Sequence, residues 1–140
     1  MMILAGDIGG TKTLLAIFDG EHCVIKKYFA STQYTTFHTL LYEFLTFIPD
    51  INIDAVCIGV AGPIVNGDCE TTNLPWKLTY SEISKQVNTP NIKLLNDLEA
   101  AAWGVLSLPE SDFVSLNPKA TPHTGNCAVI AAGTGLGEAM

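Results

Sequence analysis

The sequence predicts an α/β fold: a mixed sheet with helices on both faces, in the order βββαβαβα. Three observations carry this. The chain opens on apolar stretches separated by glycine turns, the pattern of strands joined by hairpins. Apolar residues at helical spacing then alternate with short apolar runs, the pattern of helices crossing over between strands. One of those runs, Ala55–Val60, is continuously apolar, as a strand covered on both faces requires.

Element by element, Met2–Phe18 reads as a strand, Asp7, a Gly9-Gly10 turn, Thr11 and a second strand over Thr13–Phe18. Gly9-Gly10 suits a tight two-residue turn of positive φ. After the turn signal Asp19-Gly20, Val24–Phe29 is a third strand. Phe37, Leu40, Leu41, Phe44, Leu45 and Ile48 mark one face of an amphipathic helix, stopped by Pro49. Ala55–Val60 is the fourth strand, and Asn66-Gly67 turns a small ribbon over Ile64–Thr72. Thr79 and Glu82 form a capping-box pattern ahead of a short helix, Ser81–Val87. Ile92–Leu95 is a strand and Asp97–Leu106 an Ala-rich helix ending near Pro109. Cys127–Ala132 is a last strand running into Gly133–Gly137. This order matches the ribonuclease H-like half-domain of actin, the heat-shock ATPases and the sugar kinases.

Composition narrows the classes of function. A net charge of −7 argues against nucleic acid and anionic membranes as partners, since both need basic patches. No apolar run has the length of a membrane span. Cys23, Cys57, Cys69 and Cys127 show no metal-ligand spacing, so they are expected to be buried, reduced thiols of a cytoplasmic protein. His22, His38 and His123 lack acidic or cysteine neighbours and read as surface or loop residues.

Chemistry concentrates at strand ends. Bare glycines let a phosphate approach the turn's amides, Thr11 adds a hydroxyl, and Asp7 suits Mg²⁺ held through water. The Walker pattern fails because Thr11 replaces its second glycine and a strand, not a helix, follows. A dinucleotide fingerprint fails because Glu138 stands where its third glycine is due. Asn96-Asp97 lies where a strand hands over to a helix. Asn96 there is either a helix cap or a hydroxyl ligand, and Asp97 either favours the helix dipole or serves as a general base. Asn73 is either turn chemistry before Pro75 or a sugar-hydroxyl ligand near the cleft. Gly133–Gly137 is a second close-approach loop.

GDIGGTKT at Gly6–Thr13, TNLPW at Thr72–Trp76, LLNDLEAAAWG at Leu94–Gly104 and AAGTGLG at Ala131–Gly137 together resemble the bacterial glucokinases, ATP-dependent sugar kinases of the hexokinase–actin superfamily. The resemblance implies that Gly6, Asp7, Ile8, Gly9, Gly10 and Thr11 bind ATP phosphates and that Asp7 serves Mg²⁺. It implies that Asn96 binds glucose, with Asn73 a further sugar ligand, and that Asp97 is the base acting on the 6-hydroxyl. Gly133, Thr134 and Gly135 would form the second phosphate loop; no role is attached to Lys12.

Such kinases are about twice this length or more, so the resemblance places a small domain at 1–110 and only the start of a large one at 111–140. A fragment of that kind is expected to be inactive alone and to self-associate, as a homodimer for example, through the open edge of Ala128–Ala132. Two other readings stand beside it: a kinase of the repressor/ORF/kinase group acting on another sugar or amino sugar, and a non-catalytic truncated module.

Overall fold

A computed structural model describes residues 1–121, 124, 125, 127–132 and 136–139. They fall into two compact units that meet in sequence at Asp97 and Leu98. The first holds β1 (Met2–Ile8), β2 (Lys12–Asp19), β3 (His22–Ala30), a 3-10 turn (Ser31–Gln33), α1 (Phe37–Thr46), β4 (Ala55–Val60), the ribbon strands β5 (Ile64–Val65), β6 (Asp68–Glu70) and β7 (Lys77–Leu78), α2 (Tyr80–Val87) and β8 (Ile92–Asn96). Its main sheet runs β3-β2-β1-β4-β8. The hairpin pairs are antiparallel, while β1–β4 and β4–β8 are parallel.

Register decides which residues share a face. Leu4, Ile8, Leu15, Ile17, Val56, Ile58, Val60 and Leu94 fall on one side of the sheet and are all buried. Phe37, Leu40, Leu41 and Phe44 of α1 and Ile83 and Val87 of α2 complete that core. Phe44 meets Phe29 edge-on, with ring centroids 6.3 Å apart. The other face carries Ile3, Ala5, Asp7, Leu14, Phe18, Cys23 and Cys57, none of them fully buried.

The helix ends follow local chemistry. Thr36 caps α1 by accepting the Thr39 N–H, and Thr79 caps α2 by accepting that of Glu82. The Glu82 carboxylate in turn accepts the Thr79 hydroxyl at 2.8 Å. α1 stops at Thr46 rather than running to Pro49, because a residue before proline avoids the helical region. Ile48 still enters the core from the tight turn that follows, its N–H bonded to the Leu45 carbonyl. The ribbon turns on Asn66 (φ 53°) and Gly67 (φ 87°), both left-handed as a two-residue hairpin turn requires. Its third strand, β7, is too short to leave a pattern in the sequence.

α3 (Asp97–Val105) starts on the last residue of the first unit. The second unit continues with a 3-10 turn (Glu110–Asp112) and the antiparallel pair β9 (Val129–Ala132) and β10 (Leu136–Ala139). The strand expected over Cys127–Ala132 begins at Val129, as β9, and is not the last: Leu136 and Gly137, expected in a loop, lie in β10. α3 buries none of its residues, and Trp103 is 63% exposed. The thiols also depart from expectation: none is in a disulfide, but Cys69 alone is buried, Cys23 and Cys57 are half-buried, and Cys127 is exposed. His22 and His38 are exposed, as expected; His123 lies outside the described residues. Among the described residues no helix is long and apolar enough to cross a membrane.

Candidate active site

The parallel strands β1, β4 and β8 end together. Asp7, Gly59 and Leu95 form one row across the sheet, and Ile8, Val60 and Asn96 the next. Asp97 follows at once, so the sheet itself gathers the Asp7, Asn96 and Asp97 segments at the carboxyl ends of its strands, where ligands of open α/β sheets gather.

Beyond Ile8 the chain turns through Gly9–Lys12, and the Gly9 N–H donates to the Lys12 carbonyl at 3.0 Å. The expected positive φ is not found here. Among the described residues only Gly20 and Gly67 are glycines with left-handed backbone. Close packing explains the bare positions instead. A Cβ on Gly6 would come within 3.0 Å of Leu15 Cδ2, one on Gly9 within 3.0 Å of the Lys12 carbonyl, and one on Gly10 within 2.8 Å of the Asn73 Cβ. Contacts that short force something to move.

The Gly10 contact places Asn73 against the glycine turn. Asn73 sits in a turn held on both sides: Thr72 N–H donates to the Ala61 carbonyl, and the Thr71 hydroxyl to the Leu74 carbonyl at 2.7 Å. Trp76 anchors the far end, buried, with its indole N–H on the Tyr34 carbonyl at 3.0 Å. Asn96 is half-buried and donates its side-chain amide to the Gly62 carbonyl at 3.2 Å, bracing the loop after β4. Gly62 cannot carry a side chain, since a Cβ would lie 2.8 Å from both Cys69 Sγ and the Glu70 carbonyl. α3 begins at Asp97, directly after Asn96.

Electrostatics tie the two aspartates together. The Asp7 side chain is exposed, yet the protein around the strand end strips part of its hydration and raises its carboxyl above the ordinary value. The charge of Asp97 pushes it further the same way. A partly desolvated carboxylate with a second acidic group nearby favours a cation beside it, and a lone aspartate suits a hydrated Mg²⁺. Among the described residues no set of three acidic, histidine or cysteine side chains gathers into an all-protein metal cage. Lys12 lies over the Tyr28 ring at 4.9 Å. Gly133, Thr134 and Gly135, the expected second loop, lie outside the described residues.

Sequence reasoning passed over Ser31 and Gly62. Ser31 is fully buried and donates its hydroxyl to the Gly9 carbonyl at 2.9 Å. Nothing local in Ala30-Ser31-Thr32-Gln33 announces a bond to a residue so far back in the chain. Gly62 precedes Pro63 and reads as ordinary loop until the ribbon folds over it.

The sequence model of the glucokinase family matches residues 4–140. The chain belongs to the glucokinase family. A glucokinase of Nostoc sp. is 32% identical over 144 residues, an alignment covering 98% of this chain and 42% of the relative. Among solved structures, the glucokinase of an Antarctic psychrotroph aligns with a TM-score of 0.82 at 28% identity, over 98% of this chain and 45% of that one. The glucokinase of Balamuthia mandrillaris, solved in complex with glucose, aligns with a TM-score of 0.66 at 26% identity, over 98% and 43% of the two chains. This glucokinase-family chain thus spans about 42% of the length of the curated relatives it matches. The solved relatives share its architecture, the actin-like sugar-kinase fold expected from the order of its elements.

Proposed function

We propose that this chain carries the phosphate loop and the catalytic base of an ATP-dependent glucokinase, which transfers a phosphoryl group from ATP to the 6-hydroxyl of glucose or a similar hexose. The observation that carries the reading is the convergence at one sheet end of the Gly9–Thr11 turn, Asp7, Asn73, Asn96 and Asp97. Family membership and the glucose complex of the Balamuthia mandrillaris relative support the choice of sugar.

In this reading the amides of Gly9, Gly10 and Thr11, with Gly6 and Ile8 shaping the strand end, face the phosphates of ATP, and Gly133, Thr134 and Gly135 supply a second loop. Asp7 would hold Mg²⁺ through water, and the ion would neutralise phosphate charge. Asn96 and Asn73 present amides to sugar hydroxyls. Asp97 accepts the proton of the attacking hydroxyl, so that the oxygen reaches the γ-phosphorus as an alkoxide-like nucleophile. Most of the rate arises from holding the reactants in line and from charge stabilisation, as in phosphoryl transfer generally. Residues 1–110 act as the small domain and 111–140 open the large one. In this reading the chain self-associates through the segment of β9 in which Ile130 is 67% exposed.

The test is nuclear magnetic resonance of the chain titrated with Mg-ATP and, separately, with glucose. Mg-ATP should shift the Gly9, Gly10 and Thr11 amides, and glucose the Asn96 and Asn73 side-chain amides. Silence of the glycine turn under saturating Mg-ATP would reject the phosphate-loop assignment.

A further inference from the structure

We infer that Ser31, oriented by Thr13, is a positioning residue for the glycine turn: it fixes the direction of the Gly10 N–H and through it the turn's hold on a phosphate. The inference rests on the phosphate-loop reading above.

Ser31 is fully buried in the 3-10 turn after β3, so its hydroxyl must be satisfied by protein. It donates to the Gly9 carbonyl at 2.9 Å. The Thr13 hydroxyl, also fully buried, lies 2.9 Å from the Ser31 hydroxyl oxygen. A serine hydroxyl has one proton, and that proton is committed to Gly9. Thr13 is therefore the donor of the second bond, giving a directed chain from Thr13 through Ser31 to the Gly9 carbonyl. The Ser31 backbone N–H meanwhile donates to the Thr11 carbonyl at 3.0 Å, so one residue holds a carbonyl on each side of the turn's tip.

The consequence lies in peptide geometry. In a planar trans peptide a carbonyl and the next N–H point in opposite directions, and among the described residues no peptide is cis. With the Gly9 carbonyl held toward Ser31, the Gly10 N–H must point away from it. A flip of that peptide turns only ψ of Gly9 and φ of Gly10. Both are glycine torsions, the least restricted in the chain. The peptide with the greatest freedom to turn its donor inward is thus the one that Ser31 pins.

The experiment uses the whole chain, labelled with nitrogen-15, and Mg-ATP as the probe. Ser31→Ala should weaken Mg-ATP by about tenfold, the scale of one lost orienting hydrogen bond, and should abolish the shift of the Gly10 amide. Ile17→Val, a core change on the same strand as Thr13, serves as a control that lowers stability without altering Mg-ATP affinity. Thr13→Val keeps the shape and leaves Ser31 in place; it should weaken Mg-ATP by roughly threefold, and it carries the test if Ser31→Ala does not fold. Variants that lose stability yet bind Mg-ATP as the wild-type chain does would overturn the positioning role and leave the phosphate loop intact. A wild-type turn that ignores Mg-ATP would overturn both.

Discussion

Replacing Gly10 with alanine places a methyl carbon 2.8 Å from the Asn73 Cβ, well inside the ~3.5–4.0 Å at which two carbons attract. The Gly10 backbone is not left-handed, so the substitution meets crowding rather than torsional strain. Asn73 cannot simply rotate away, because the offending atom is its Cβ; the rest of its side chain stays at 3.6 Å or beyond. Overpacking of this kind costs about 1–3 kcal/mol. For a chain of this size that lowers the melting temperature by roughly 3–10 °C. The sharper test is a double-mutant cycle. Asn73→Gly removes the obstructing atom and should restore Gly10→Ala almost fully, giving a coupling of about 1–3 kcal/mol. Asn73→Ala keeps the Cβ and should restore little. Urea unfolding of the single and double variants measures both. Equal rescue by alanine and glycine, or an equal cost of Gly10→Ala in both backgrounds, would refute the contact as the reason for this glycine.

Asp7→Asn should stabilise the ligand-free chain at neutral pH. The folded state raises the Asp7 carboxyl above 3.8, by burial first and by Asp97 second, so its ionisation opposes folding. That opposition is absent in strong acid and grows as pH rises through the raised value, so the advantage of asparagine should vanish when urea unfolding is repeated below 3.8. The same variant should bind Mg-ATP more weakly, which calorimetry would show. In a chimera joining this chain to the rest of a family member, Asp97→Ala should cut kcat by about 10²–10⁴ with folding preserved, and near-normal turnover would remove Asp97 as the base. Leu41→Ala, at a fully buried position of α1, should cost about 2–5 kcal/mol in urea unfolding.

Legibility of the sequence tracked the range of the forces involved. α1 could be read because Phe37, Leu40, Leu41 and Phe44 repeat within a few residues, and the ribbon turn because Asn66-Gly67 is itself the turn. The strand ends that bear Asp7 and Asp97 were readable for the same reason. What the sequence hid depends on partners far along the chain. Gly10 looked like a residue of special torsion, but its need for no side chain comes from Asn73, which only the folded ribbon brings near. Ser31 gave no signal because its bond to Gly9 spans 22 residues. The Asn96 amide looked available to a ligand, yet one of its donors braces Gly62.

The strand order β3-β2-β1-β4-β8 has a consequence for synthesis. β1 is made before the other strands of this sheet but ends in its middle. β2 and β3 follow at once and close one of its edges by hairpins, whereas the strand for its other edge, Ala55–Val60, arrives only after α1 has been made. At about 5–20 residues per second, that edge stays bare for a few seconds in every newly made chain. It is the edge along which Asp7 pairs with Gly59. A charge next to the end of an otherwise apolar strand discourages other nascent strands from pairing there. The position of Asp7 near the end of β1 thus falls on the strand edge that is completed last in the order of synthesis.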